Sequence, residues 1–304
     1  MTAKMTAKVL TITYAFAAAA ALAQTPAPGV RSTPPKVAQK TFDSPDAATE
    51  ALIDAASKND TAALRSILGS SARGILTSGD PKQDAAERQE FAKIAGEKHH
   101  LVQSSMNRHV RVLLIGDQDW PFPIPLLQEG NVWRFDPARG AVEVRAREIG
   151  EHELDAIQAC AAYVGVQEAF SAKKRSAAGT QEYARTVATS VTNTPASEEI
   201  PKEFAEAAGA HPTRPYHGYY FRVLTGQGPN APGGQHSYVL DKSKSNEGMI
   251  GGFALVAWPA QYGVTGIHTF IVNQDGIVYE KDRGAKTAVP VTSYDPDPSW
   301  TPVD

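Results

Sequence analysis

Residues 251–282 read GGFALVAWPAQYGVTGIHTFIVNQDGIVYEKD, and this stretch decides the fold of the C-terminal half. Its β-rich runs, MIGGFALVAWP (249–259), GIHTFIVN (266–273) and GIVYEKD (276–282), are separated by turn residues. Counting by twos, Met249, Phe253 and Leu255 face one way, and Ile250, Val256 and Trp258 the other. A strand that is apolar on both sides belongs in mid-sheet, covered on at least one face. Asn273 and Gly276 of NQDG bracket a tight hairpin turn. Upstream, YHGYYFRVLT (216–225) and HSYVLD (236–241) supply two more strands. The stretch is expected to be the hydrophobic spine of an antiparallel sheet, with its side chains used for mutual burial rather than for chemistry.

The cover for that sheet is expected from residues 140–175. Leu154, Ile157, Cys160, Ala161, Val164 and Glu168 follow a 3–4 step, with Tyr163, Val166 and Phe170 widening the apolar face. Gly150 is expected to break this helix, and GTQEYARTV (179–187) to continue it irregularly. The N-terminal half opens with three helix starts: Ser44-Pro45, Asp60 with a stop at Gly69, and Asp80-Pro81. HHLVQSS (99–105), RHVRVLLIG (108–116), WPFPIPLLQ (120–128) and VWRFD (132–136) follow as strands joined by the turns DQD and EGN. Prolines at 121, 123 and 125 cannot donate to a ladder, so that third run is expected at an edge or outside the sheet. The class is therefore α+β. Residues 42–140 form an N-terminal domain of helices and a curved antiparallel sheet, like nuclear-transport-factor-type folds by pattern. Residues 141–304 form a second domain, a long helix on an antiparallel sheet.

The first 23 residues are expected to be a leader. Lys4 and Lys8 precede an uncharged apolar run from Val9 to Leu22, and ALA (21–23) places small residues before Gln24. The run is shorter than the ~20 residues that a membrane span needs. Residues 24–41, with four prolines, form an extended linker. Removing Lys4 and Lys8 takes the formal net charge from −3 to −5. A mildly acidic chain without a long basic block has no electrostatic case for nucleic acid, whose binding rests on phosphate neutralisation. Cys160, the single cysteine, sits in the apolar helical pattern LDAIQACAAYV and is expected to be a buried, inert thiol. A periplasmic or extracellular location, with no transmembrane segment in the mature chain, follows from the leader.

Eight histidines and many carboxylates invite an active-site reading. His217, His236 and His268 fall on three neighbouring strands and offer a zinc set, but no close-spaced pair anchors them; ordinary sheet residues are the plainer reading. His99 and His100 point to opposite faces of one strand, with His109 nearby. EHE (151–153) has the composition of a ligand set, yet consecutive residues do not share a helix face, and a polar helix start is the plainer reading. Asp117 and Asp119 before Trp120 would place two carboxylates beside an aromatic platform, as in sugar-cleaving sites; a turn in which they bond local amides is the plainer reading. TGQGPNAPGGQ (225–235) lacks the Lys-Ser/Thr and the following helix of a phosphate loop. No nucleophile motif occurs, so no catalytic residue and no cofactor is assigned.

PYHGYYFRVLTGQGPNAPGG (215–234) and GMIGGFALVAWPAQYGVTGIHTFIVNQDGIVYEKDRG (248–284) together resemble the bacterial secreted family catalogued as domain of unknown function 2950. LIGDQDWPFPIPLLQEGNVWRFD (114–136) and IGEHELDAIQACAAYV (149–164) extend the resemblance, which covers roughly residues 40–300. Arg283 and the lengthened LDKSKSNEGM depart from its pattern. The resemblance implies export and an architecture, and no catalytic residues. The second half is also similar to the globular heads of type IV pilins and pseudopilins, through Phe253, Pro259, Tyr262, Gly263, Thr265, Gly266, Phe270, Asp275 and Gly276; the hydrophobic assembly helix of pilins is missing. The expected role is a non-enzymatic exported module that binds an envelope protein or surface glycan through Trp120, Tyr216, Tyr220, Tyr262 and Trp300. The alternative is a hydrolase or carbohydrate-active enzyme working from Asp117 and Asp119.

Overall fold

The structure, a computed structural model, describes residues 39–69, 72, 76–173, 179–187, 201–209, 212–239, 248–284 and 291–303. The leader and nearly all of the proline-rich linker lie outside them. The chain divides into two compact units, up to Arg145 and from Ala146. Both are built from helices and antiparallel strands, which makes the fold α+β.

In the first unit, the three expected helix starts are capped as their sequences dictate. Helix α1 (Pro45–Ser57) begins with Ser44 Oγ accepting from the Ala47 amide at 3.0 Å. Asp60 Oδ1 accepts from Ala62 and Ala63 at the head of α2 (Thr61–Leu68), and Asp80 Oδ1 from Lys82 and Gln83 at the head of α3 (Pro81–Glu97). Such caps satisfy amides that have no partner within the helix. The strands are β1 (His99–Gln103), β2 (Val110–Ile115), β3 (Trp120–Pro121), β4 (Leu126–Glu129) and β5 (Val132–Phe135). They pair in the order β1-β2-β4-β5, with β3 also on β2. The proline-rich run thus splits. Trp120 and Pro121 make a two-residue ladder on β2, residues 122–125 leave it, and β4 re-enters between β2 and β5. An edge position for the whole run is corrected, because the prolines end at 125 and the β4 amides are free to pair. Leu52, Leu64, Phe91, Leu113, Phe122 and Phe135 lead the core, the Phe91 and Phe122 rings lying 5.2 Å apart.

Helix α4 (Pro137–Lys173) runs through Gly150 without a break. One interior glycine weakens a helix by only about 1 kcal/mol, which the burial along the rest of its length offsets. Its residues Ala156, Ala159, Cys160, Tyr163 and Val164 enter the core of the second unit, with the short helix α5 (Lys202–Ala207) beside them. Cys160 is fully buried, and burial pushes its thiol up to about 12, so it is unreactive. Residues 179–187 do not continue the helix: Tyr183 exchanges backbone hydrogen bonds with Met249 at 2.8 Å each way, a strand-like pairing.

The second sheet contains β6 (Tyr219–Leu224), β9 (Ala254–Pro259), β10 (His268–Asn273), β11 (Tyr279–Asp282) and β12 (Thr301–Pro302), in the order β12-β11-β10-β9-β6. β9 is interior and nearly all buried, as a strand apolar on both faces should be. Residues 236–239 of HSYVLD, the part that is described, do not join this sheet. β7 (Gly226–Gln227) and β8 (His236–Ser237) form a separate two-stranded ribbon. The NQDG turn closes as read, with the Gly276 amide 3.0 Å from the Asn273 carbonyl and Gly276 at φ +76°. Gly252 precedes β9 rather than lying within it. Its φ of +150° and the Tyr238 ring, 2.7 Å from where a Cβ would stand, require glycine there.

Tyr163, Tyr219, Tyr238 and Tyr294 are among the largest buried side chains, and burial pushes each phenol up; Tyr238 rises from 10.0 to about 12, with Asp275 adding to burial. The folded state favours the neutral phenol, so this stability is complete below pH 10 and disappears as the pH passes through about 12. We expect cooperative alkaline unfolding in that window, with tyrosinate absorbance and loss of circular dichroism moving together. Tyrosines that ionise near pH 10 with the fold intact would contradict their burial.

Candidate functional site

The segment EHELD (151–155) lies inside α4, well past its start, and reaches two strand-end segments of the second unit. Glu153 Oε1 accepts from the Ile267 amide at 2.8 Å and the His268 amide at 2.9 Å. His268 Nδ1 lies 3.2 Å from both carboxylate oxygens, and the Tyr219 hydroxyl 3.4 Å from Oε1. Tyr219 also donates to the His268 carbonyl at 3.0 Å. His152 Nδ1 donates to the Thr265 carbonyl at 3.1 Å, and His217 Nδ1 to Asp155. One helix turn thereby fixes the start of β10 and the loop before β6, where His217 and Gly218 both take positive φ.

This arrangement is a clasp between helix and sheet. Paired to a carboxylate, an imidazole can take up and return a proton. The His217 and His268 imidazoles are engaged by Asp155 and Glu153 respectively. Glu153, only 17% exposed at its side chain, already serves two amides. The clasp was legible in one respect that the sequence reading passed over. Stepping back from Tyr163 through Cys160 and Ala156 along the buried stripe lands on Glu153, so that carboxylate faces the sheet.

His236 lies elsewhere, on β8, with Nδ1 3.1 Å from the Gly234 carbonyl and its ring against Tyr238. Among the described residues, no three His, Cys, Asp or Glu side chains form a group that could hold a metal, so His217, His236 and His268 do not assemble as a zinc set.

The opposite face of the second sheet carries rings and cations. Arg222, Val256, Ile271 and Tyr279 form one row across four strands, whose middle members Val256 and Ile271 are fully buried, so only its ends reach the surface. Beside it, Tyr220 and Trp258 pair with ring centroids 6.0 Å apart, and the Arg222 guanidinium lies 5.3 Å from the Trp258 ring centre. Lys281 stands 5.5 Å from the ring of Trp300. Arg222 Nη2 reaches the Val291 carbonyl at 3.3 Å, whereas its Nε and the Thr269 hydroxyl are buried with no partner among the described residues. Tyr220, Trp258 and Trp300 are half-buried.

Of the other ring residues, Tyr262 is the most exposed, at 41%, and its hydroxyl donates to Asp282 at 3.3 Å. Tyr216 is half-buried, stacked on His217 at 4.2 Å and packed against Phe204, and burial raises its phenol. Trp120 packs against the first unit's core rather than standing open as a platform. Asp117 and Asp119 lie in the turn after β2. Asp119, at φ +51°, is ion-paired with Lys98 at 3.3 Å, and Lys98 stands 3.9 Å from Asp117.

Fold and site together define an α+β protein of two units, the second an antiparallel sheet clasped to a long helix on one face and lined with rings and cations on the other. The chain belongs to the family described as Protein of unknown function (DUF2950), whose model matches residues 39–303. No curated protein and no solved structure matches it, so the similarity to pilin heads gains no support from them. No helix among the described residues is long and apolar enough to cross a membrane.

Proposed function

We propose that this is an exported, non-enzymatic binding module of the cell envelope, and that its ligand is a surface glycan taken at the β6 edge of the second sheet, on the face away from α4, where Tyr220, Arg222 and Trp258 are half-buried. The observation that carries the reading is the Tyr220–Trp258–Arg222 group: two adjacent rings and a guanidinium held over one of them. Rings offer flat apolar area to a sugar face, and arginine supplies several fixed donors to its oxygens. Export is supported by the basic, apolar and small-residue order of residues 1–23. The non-enzymatic part is supported by the clasp, whose imidazoles and carboxylates are engaged with each other and with backbone. The hydrolase alternative at Asp117, Asp119 and Trp120 has less support, since Asp119 is ion-paired and Trp120 is packed.

Expressed with its leader, the chain should be recovered from the envelope fraction with Gln24 first, and should co-sediment with isolated envelope polysaccharide. Trp258→Ala should weaken that retention at least tenfold, about 1.4 kcal/mol or more. Arg222→Gln, which disturbs the core less, should lower it in the same direction. Retention unchanged in both variants would remove the outer face from consideration.

A further inference from the structure

The first unit holds a cavity of about 80 Å³ that takes no part in the glycan binding proposed for the second. Its inner wall is apolar and buried, built from Leu52, Ala56, Leu64, Phe91, Phe122 and Ile124. Its polar lining, Ser78, Asp84, Glu87 and Arg88, comes from the front half of α3 and the residues just before it. Ser78, Glu87 and Arg88 are half-buried, so the cavity passes from a greasy interior to a polar rim. A void in a close-packed core forfeits the contacts of its lining, and here Ala56 leaves room that a larger side chain would take.

Asp84 gives the cavity its chemistry. It is 6% exposed, on a wall otherwise largely apolar, and Ser78 donates to it twice at one oxygen, Oδ1, from the amide at 2.9 Å and the hydroxyl at 2.6 Å. A buried carboxylate is costly unless its charge is met. The nearest cation in the lining, Arg88, is turned to neutral acceptors: Nε to Asn59 Oδ1 at 2.7 Å and Nη1 to the Leu76 carbonyl at 3.1 Å. Glu87 adds a second carboxylate. With two carboxylates against one engaged guanidinium, the rim favours a cationic donor over an anion.

We propose that this cavity is a binding site for a primary amine bearing a short alkyl or single-ring aryl group, the apolar group seated between α1, α2 and Phe122 and the ammonium donating to Asp84 Oδ2. This site is independent of the glycan face. The test is calorimetry and methyl NMR on the full chain with benzylamine and butylamine, and with benzoate and butyrate as matched anions. The amines should bind saturably and shift the Ala56 and Leu64 methyl signals, while the anions do neither. Ala56→Leu should abolish binding by filling the space, and Asp84→Asn, which keeps an acceptor for Ser78, should weaken it at least tenfold. Absence of any amine effect on the natural chain at millimolar concentration would overturn the proposal and leave a packing void. Equal binding of benzoate would overturn the role given to Asp84. If Ala56→Leu does not fold, the methyl shifts in the natural chain decide alone.

Discussion

Glu153→Ala is expected to destabilise the second unit by about 2–4 kcal/mol, a large part of the 5–15 kcal/mol typical of a domain. The substitution takes one acceptor from two successive backbone amides, Ile267 and His268, and removes the partner of the His268 imidazole. A fully buried donor left unmade costs about 1–3 kcal/mol, and these two half-buried amides fall toward the lower end. Tyr219 keeps its shorter bond to the His268 carbonyl, so the loss concentrates at the start of β10. Glu153→Gln retains a carbonyl oxygen for the amides and should lose only about 1 kcal/mol. Chemical denaturation of the two variants checks this. Equal, small losses would mean that α4 and the sheet are held together by packing alone.

Gly266→Ala is expected to be comparably damaging for a steric reason. A Cβ at this position would stand 2.1 Å from the Tyr219 hydroxyl oxygen and 2.5 Å from the ring carbon that bears it. Tyr219 is fully buried, ring-packed on Phe270 and tethered at its hydroxyl, so it cannot swing away cheaply. Overpacking of this kind costs about 1–3 kcal/mol and more when the neighbour is fixed; the upper end or beyond is expected. Gly263→Ala is the comparison. Nothing lies within 4 Å of its added Cβ, and only its φ of +71° opposes the change, at about 1 kcal/mol. Melting curves in which the two alanine variants are indistinguishable would show that Tyr219 yields after all.

The outer face and the clasp lie on opposite sides of one sheet, and this separates two roles within it. Tyr219 and Phe221 look toward α4 and α5, where the clasp and the T-shaped Phe204–Phe221 contact hold the unit together. Tyr220 and Arg222, alternate residues of the same strand, turn to the opposite face and pack with Trp258. Alternation along a strand is enough to place a structural set and a recognition set one residue apart.

Much of the fold was legible because local rules wrote it. The caps Ser44, Asp60 and Asp80, the hairpin at Asn273–Gly276 and the two-sided apolar pattern of β9 each depend on a few adjacent residues and on backbone geometry. The misreadings came where local and tertiary terms compete. Gly150 looked like a break, but a long helix absorbs one glycine. HSYVLD has strand composition, but its first two residues, His236 and Ser237, pair with the nearby β7 rather than with the main sheet. EHE (151–153) has the look of a polar helix start because its charges are read as solvated until something buries them. Only the packed structure brings Ile267, His268 and His217, more than sixty residues away in sequence, against that turn of α4. Composition and spacing thus determined the α+β class, the burial of Cys160 and the spine of the second sheet. Which charges are engaged, and which rings share a face with a cation, depend on register across strands and on what a helix covers, and those are properties of the assembled chain.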